Sequence, residues 1–154
     1  MPEHRDRNRA QIGIGRDQLR ALGQEIGRVH REQTDQVVTD IADGAGGVVL
    51  GRAAALVLGD RPDALHVRLD GPERRRLRAA VAHLGRPEDQ VRRELVAADR
   101  ARTAYVRHFH RCDPAEARHY HLVLDSTVLD HDLVVDLVVA AARSRGISGS
   151  AAAS

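Results

Sequence analysis

Apolar residues fall into blocks whose spacing changes along the chain. From Asp17 to Ile41, Leu19, Leu22, Ile26 and Val29 recur at three- and four-residue steps, and Val37, Val38 and Ile41 extend the stripe. That spacing predicts a helix with Asp17 at its start, and the run DGAGG at 43–47 ends it. Val48, Val49 and Leu50 then read as a short strand, closed by Gly51-Arg52 and followed by an Ala-rich helical turn from Ala53 to Leu58. After a loop at 59–63, the segment ALHVRLD (64–70) alternates Leu65, Val67 and Leu69 with His66 and Arg68, the pattern of a strand with one more polar face.

Gly71-Pro72 opens the next expected helix, which carries Leu77, Ala80, Val81 and Leu84 on one face. Gly85-Arg86-Pro87 breaks it, and a further helix runs from Pro87-Glu88-Asp89 toward Phe109 through Val91, Leu95, Ala98, Arg102 and Tyr105. HLVLD at 121–125 reads as a buried strand and 126–130 as a loop. Asp130 or Asp132 is the expected cap of a last helix through Leu133, Val134, Leu137, Val138 and Ala141. Residues 1–16 are expected to form a disordered arm and 144–154 a flexible tail, leaving 17–143 as the domain. Strands that alternate with helices favour βαβ units and a parallel sheet.

Composition narrows the chemistry. All 24 basic residues are arginine, so lysine chemistry is excluded, including a Schiff base or a phosphate-loop lysine; codon bias is the commoner reason for such an absence. One Phe, two Tyr and no Trp leave an aliphatic core. A net charge of +2, with 22 acidic residues balancing the arginines, argues against nucleic acid as a partner. Cys112 stands alone, which suits a reducing compartment. No apolar run approaches a membrane span and the first ten residues lack a signal-peptide core, so a cytoplasmic location is expected.

Three stretches carry a resemblance to a known family: GGVVLGRAAALVLGDRPDALHVRLDGPERRR at 46–76, DRARTAYVRHFH at 99–110, and YHLVLDSTVL at 120–129. In wording, order and spacing they resemble the cytidylate-kinase-like family of nucleoside monophosphate kinases, over 46–143. The resemblance implies an α/β fold with a three-layer, P-loop-kinase-type parallel sheet, here truncated at its N-terminal part. It implies transfer of the γ-phosphoryl of ATP to CMP with Mg²⁺, a reaction of positioning and charge neutralisation. Gly51 and Arg52 would face the monophosphate beyond a strand end. Arg100, Arg102 and Arg107 fall in the lid-like segment and would be the catalytic arginines. Not all three can point inward from a straight helix. Asp125, Ser126 and Thr127 would help hold the adenine base of ATP. A solvated helix face or a plain turn explains the same residues without a ligand, and Tyr105 reads as packing. Arg74, Arg75 and Arg76 place positive charge at a helix start, which an anion would relieve.

The resemblance stops short of the phosphate loop. No string in the sequence matches GxxxxGK[ST]; Gly13-Ile14-Gly15-Arg16-Asp17 has no preceding apolar strand and no Ser or Thr where one is needed. The chain then reads as a truncated product, a misassigned start, or a repurposed scaffold: an incomplete kinase, or an inactive binding or interaction module. A protein partner or self-association would complete its sheet. A zinc site built from His108, His110, Cys112, His119 and His121 is a competing reading, weakened because His108 and His110 fall near a helix end.

Overall fold

The computed structural model describes residues 16–147. Residues 1–15 of the expected arm, most of the GIGRD string, and residues 148–154 of the expected tail lie outside that range. The elements run α1 (Arg16–Asp43), α2 (Ala54–Leu58), β1 (Val67–Asp70), α3 (Glu73–Leu84), α4 (Glu88–His110), a 3-10 turn (Ala117–His119), β2 (Leu122–Asp125) and α5 (His131–Ser144).

The helix boundaries follow local chemistry. α1 stops where Gly44 N–H and Gly46 N–H turn back to the Asp40 and Ile41 carbonyls, with Gly46 at φ +73°, a left-handed end that a glycine adopts cheaply. Pro72 and Pro87 are the N-caps of α3 and α4, one position earlier than a first helical residue, and their carbonyls receive the first helical N–H groups. Gly85, also left-handed, closes α3 through its N–H to Val81 O. Asp130 rather than Asp132 caps α5, its side chain accepting from Asp132 N–H.

The described strands form one two-stranded parallel sheet, β1 beside β2, in the register Val67↔Leu122, Arg68↔Val123, Leu69↔Leu124 and Asp70↔Asp125. The fold is α/β and mostly helical. Three sequence expectations change here. The strand at Val48–Leu50 does not form; residues 46–50 are coil, and the three-layer sheet is not present among the described residues. Gly46, Gly47 and Gly51 carry positive φ and bend the chain at both ends of the apolar run, and no strand lies alongside to take its backbone groups. The expected strand over 64–70 shortens to Val67–Asp70, because only that stretch has β2 as a partner.

Helix α1 packs on α2, and α3 on α4. Gly27 lets α1 approach α4, since a Cβ there would lie 3.2 Å from the Phe109 ring. The buried apolar side chains are few and dispersed: Val38 on α1, Ala64, Leu77 on α3, Val91 and Val106 on α4, and Val134 on α5.

Candidate functional site

The sheet register sets two carboxylates, Asp70 and Asp125, side by side at the carboxyl ends of β1 and β2. In open α/β folds that end is where ligands gather. The turn after β2 is fixed from both sides. Thr127 donates its N–H (3.0 Å) and its hydroxyl to Asp125 Oδ1, and Ser126 N–H donates to Asp70 O at 3.1 Å. Gly71, at φ +149°, lies directly against the turn: a Cβ there would sit 2.5 Å from Thr127 Cγ2 and 2.9 Å from Asp125 Oδ1. Only glycine permits β1 to leave the sheet this close to β2.

Arginines from the first turn of α3 close the cluster. Arg75 Nη2 lies 3.1 Å from Asp125 Oδ2. Arg76 donates from Nε to Gly71 O (3.0 Å) and from Nη2 to Asp99 Oδ2 on α4 (2.7 Å). The anion that relieves positive charge at this helix start is therefore supplied by the protein's own carboxylates. Asp99 also accepts from Arg102 Nη1 at 3.2 Å, so guanidinium groups from two helices converge on one carboxylate. The hydrogen bonds from Thr127, and after them the Arg75 charge, hold the Asp125 carboxyl below the usual range. Burial pushes Asp70 upward, but the Gly71 N–H and Arg68 outweigh it and leave its proton affinity lowered. Both groups are carboxylates near neutral pH.

Helical geometry separates the three lid-like arginines. Arg100 and Arg107 are seven residues apart, nearly two turns, and line one shallow trough with Asp99, Thr103 and Ala104. Arg107 also pairs with Asp113 at 2.9 Å. Arg102 points off that face and is engaged with Asp99. The structure thus joins Asp125, Ser126 and Thr127 through Gly71, Arg76 and Asp99 to Arg102, with Arg100 next to the junction. It does not bring Gly51 and Arg52 there. Among the described residues no strand precedes Arg52, which is exposed and left-handed (φ 58°) between Gly51 and Ala53, also at positive φ. Its charge is felt at the Tyr105 hydroxyl, and Tyr105 lies roughly 140° around α4 from Arg100. Burial first, then Asp35, raises the proton affinity of that hydroxyl. The placement of Arg52 beyond a strand end is therefore corrected.

Arg75, Arg76, Asp99 and Gly71 complete a cluster that the sequence reading left out of its site. The signal was present in GPERRR directly after a strand, but partners 23 residues apart on another helix are not visible in a linear pattern.

The described histidines do not gather into a ligand set. Among the described residues no group of three His, Cys, Asp or Glu side chains could hold an ion. His108 and His110 ride on the last turn of α4, where they face apart. His121 instead stacks on His66, with ring centroids 5.0 Å apart, and its Nδ1 accepts the His66 N–H at 2.9 Å. His66 Nε2 meets Gly59 O at 2.7 Å. The pair locks the amino ends of the two strands.

Comparison with known proteins came to the same region of sequence. Residues 5–128 match the model of the cytidylate kinase-like family, well over half the chain. The match reaches further toward the N-terminus than the resemblance over 46–143, takes in α1, and ends before α5. A protein named uronate isomerase from Corynebacterium glutamicum is 29% identical over 112 residues, covering 73% of this chain. The chain spans about a fifth (21%) of that relative's length. A crystal structure of an uncharacterized protein from Eubacterium ventriosum superposes with a TM-score of 0.66 at 17% identity, covering 74% of this chain and 72% of that one, a likeness of fold.

Proposed function

The chain belongs to the cytidylate kinase-like family, and from that premise we propose that it binds a nucleoside monophosphate, CMP, at the carboxyl ends of β1 and β2, with little phosphoryl transfer of its own. The observation that supports this reading is the convergence of Arg76 and Arg102 on Asp99, next to the Asp125-Ser126-Thr127 turn. An incoming phosphate offers these guanidinium groups more acceptor oxygens than the single hydrogen bond that each now donates to Asp99. Arg102 is 67% exposed and free to swing, and Arg100 adds charge from the neighbouring trough.

The ATP half of the family reaction has less support. The N–H groups of Ser126 and Thr127 are already used within the turn, so an adenine base would be left to the Ser126 hydroxyl and backbone carbonyls. The donor set also fits Mg²⁺ poorly. Asp70 and Asp125 are each taken up by an arginine and by backbone N–H groups, and no third carboxylate joins them among the described residues. The proposed CMP binding involves no Mg²⁺-ATP. The family reaction, ATP + CMP to ADP + CDP, needs a phosphate-binding loop, and this sequence holds no GxxxxGK[ST] string. The isomerase name of the Corynebacterium relative, matched over only 21% of its length, has no counterpart in this cluster.

Thermal unfolding in a CMP series tests the binding. At about 100 times Kd, CMP adds about 2.7 kcal/mol to stability, and the midpoint rises accordingly. An unchanged midpoint up to about 10 mM CMP overturns the proposal, since weaker binding lies below a useful affinity. With Mg²⁺-ATP added, CDP should stay at background. Turnover that disappears in Arg52→Ala would instead show a working kinase whose site lies around Arg52. The second reading, an interaction module on the same scaffold, is favoured by the large apolar surface left uncovered.

A further inference from the structure

The most exposed apolar side chains belong to the segment that the sequence marks as a strand and the structure leaves as coil. Val48 is 100% exposed and Leu50 93%. Among the described backbone hydrogen bonds, none is donated or accepted by residues 47–50. The segment lies in an apolar neighbourhood: a Cβ on Gly47 would touch Ile41 Cγ2 at 3.5 Å, and Ile41 and Val37, one turn apart on α1, are themselves exposed.

The total surface points the same way. The chain exposes 12482 Å², whereas a compact 16.9 kDa chain exposes about 7,700 Å². Even if residues 1–15 and 148–154 carried the full surface of an extended chain, about 3,500 Å², roughly 1,300 Å² of excess would remain. A standard interface takes about 800 Å² from each partner.

We propose that residues 47–50 pair antiparallel with the same residues of a second copy across a twofold axis, with Val37 and Ile41 of each α1 packed beside the ladder. A second copy presents the same unpaired segment. One unpaired segment carries both the N–H and the C=O groups that an antiparallel twin requires, so a twofold ladder satisfies both chains with one surface. The net charge of +2 sets no strong barrier to self-association. Val48 and Leu50 lie on the same side of such a strand, two residues apart, and would form its apolar cross-strand pairs.

Sedimentation equilibrium on the full chain, from about 5 to 100 µM, reads the outcome directly. The expected species has twice the 16.9 kDa chain mass. Val48→Glu with Leu50→Glu should weaken the dimer at least about tenfold, because four carboxylates would meet across the axis. Both side chains project into solvent in the protomer, so the far-UV circular dichroism of the variant should match that of the parent. Leu84→Glu, at an exposed position on α3, controls for general loss of apolar surface and should leave association unchanged. Amide exchange in 47–50 should slow as concentration rises. A single-chain mass at every concentration overturns the proposal, and so does a dimer that the double glutamate variant leaves intact.

Discussion

Gly71→Ala probes the closest approach in the site. A Cβ at this position meets Thr127 Cγ2 at 2.5 Å, Thr127 Oγ1 at 2.9 Å and Asp125 Oδ1 at 2.9 Å, so the 125–127 turn must move. Forcing extra atoms into a packed contact costs about 1–3 kcal/mol. The backbone, at φ +149°, adds strain of order 1–3 kcal/mol for a residue with a side chain. The smaller conformational freedom of Ala in the unfolded chain returns about 0.4–1 kcal/mol. The net expectation is a loss of about 1–5 kcal/mol, a large part of the roughly 5–15 kcal/mol that holds a domain together. Urea unfolding followed by circular dichroism measures it. Gly85→Ala is the comparator: φ is +62° with nothing within 4 Å, so left-handed strain acts alone and the loss should be near 1 kcal/mol. Thr127→Ala removes two of the three contacts. It should therefore recover about 1 kcal/mol or more in the Gly71→Ala background beyond additivity. A Gly71→Ala loss below about 0.5 kcal/mol, or strictly additive double-variant behaviour, would refute the contact as the origin of the cost.

Two further outcomes follow from packing and titration. Leu77, 3% exposed on α3, should cost about 2–5 kcal/mol on truncation to Ala, read from the urea midpoint; a loss under about 1 kcal/mol would mean that α3 is not anchored there. Partial desolvation first, then the Arg145 charge and His66, lowers the proton affinity of His121, and burial does the same for His110. A lowered folded value means that the unfolded chain takes the proton first. This stability is full above the ordinary histidine value of about 6.5 and drains away as pH falls through that value toward the folded one. The thermal midpoint should drop between about pH 7 and 5, and His121→Gln should flatten part of that slope; equal slopes in parent and variant would remove His121 from the account.

Local chemistry was legible in the sequence, and tertiary pairing was not. The periodicity of Leu77 to Leu84, the prolines before α3 and α4, and Asp130 before α5 all act within a few residues, and these helices lie where the pattern put them. The run Val48-Val49-Leu50 is as aliphatic as Leu122-Val123-Leu124 and more β-branched, yet only the latter finds a neighbour. Strand formation depends on a partner that no local pattern specifies. Arg52 shows the same limit, since its expected position rested on that strand. The end of β2 at Asp125 and the turn after it lie where the pattern puts them, while Arg76 and Asp99 required the α3–α4 packing to meet.

The most direct measurement is a calorimetric titration of CMP into the parent chain and into Arg100→Ala with Arg102→Ala. Arg28→Ala, on the exposed face of α1 with Glu25 and Glu32, serves as the charge control. Binding that persists in Arg28→Ala and weakens at least about tenfold in the double variant, a loss of about 1.4 kcal/mol, is the predicted result. Equal affinity in all three, or no binding heat in the parent, would contradict a nucleotide site at the strand ends.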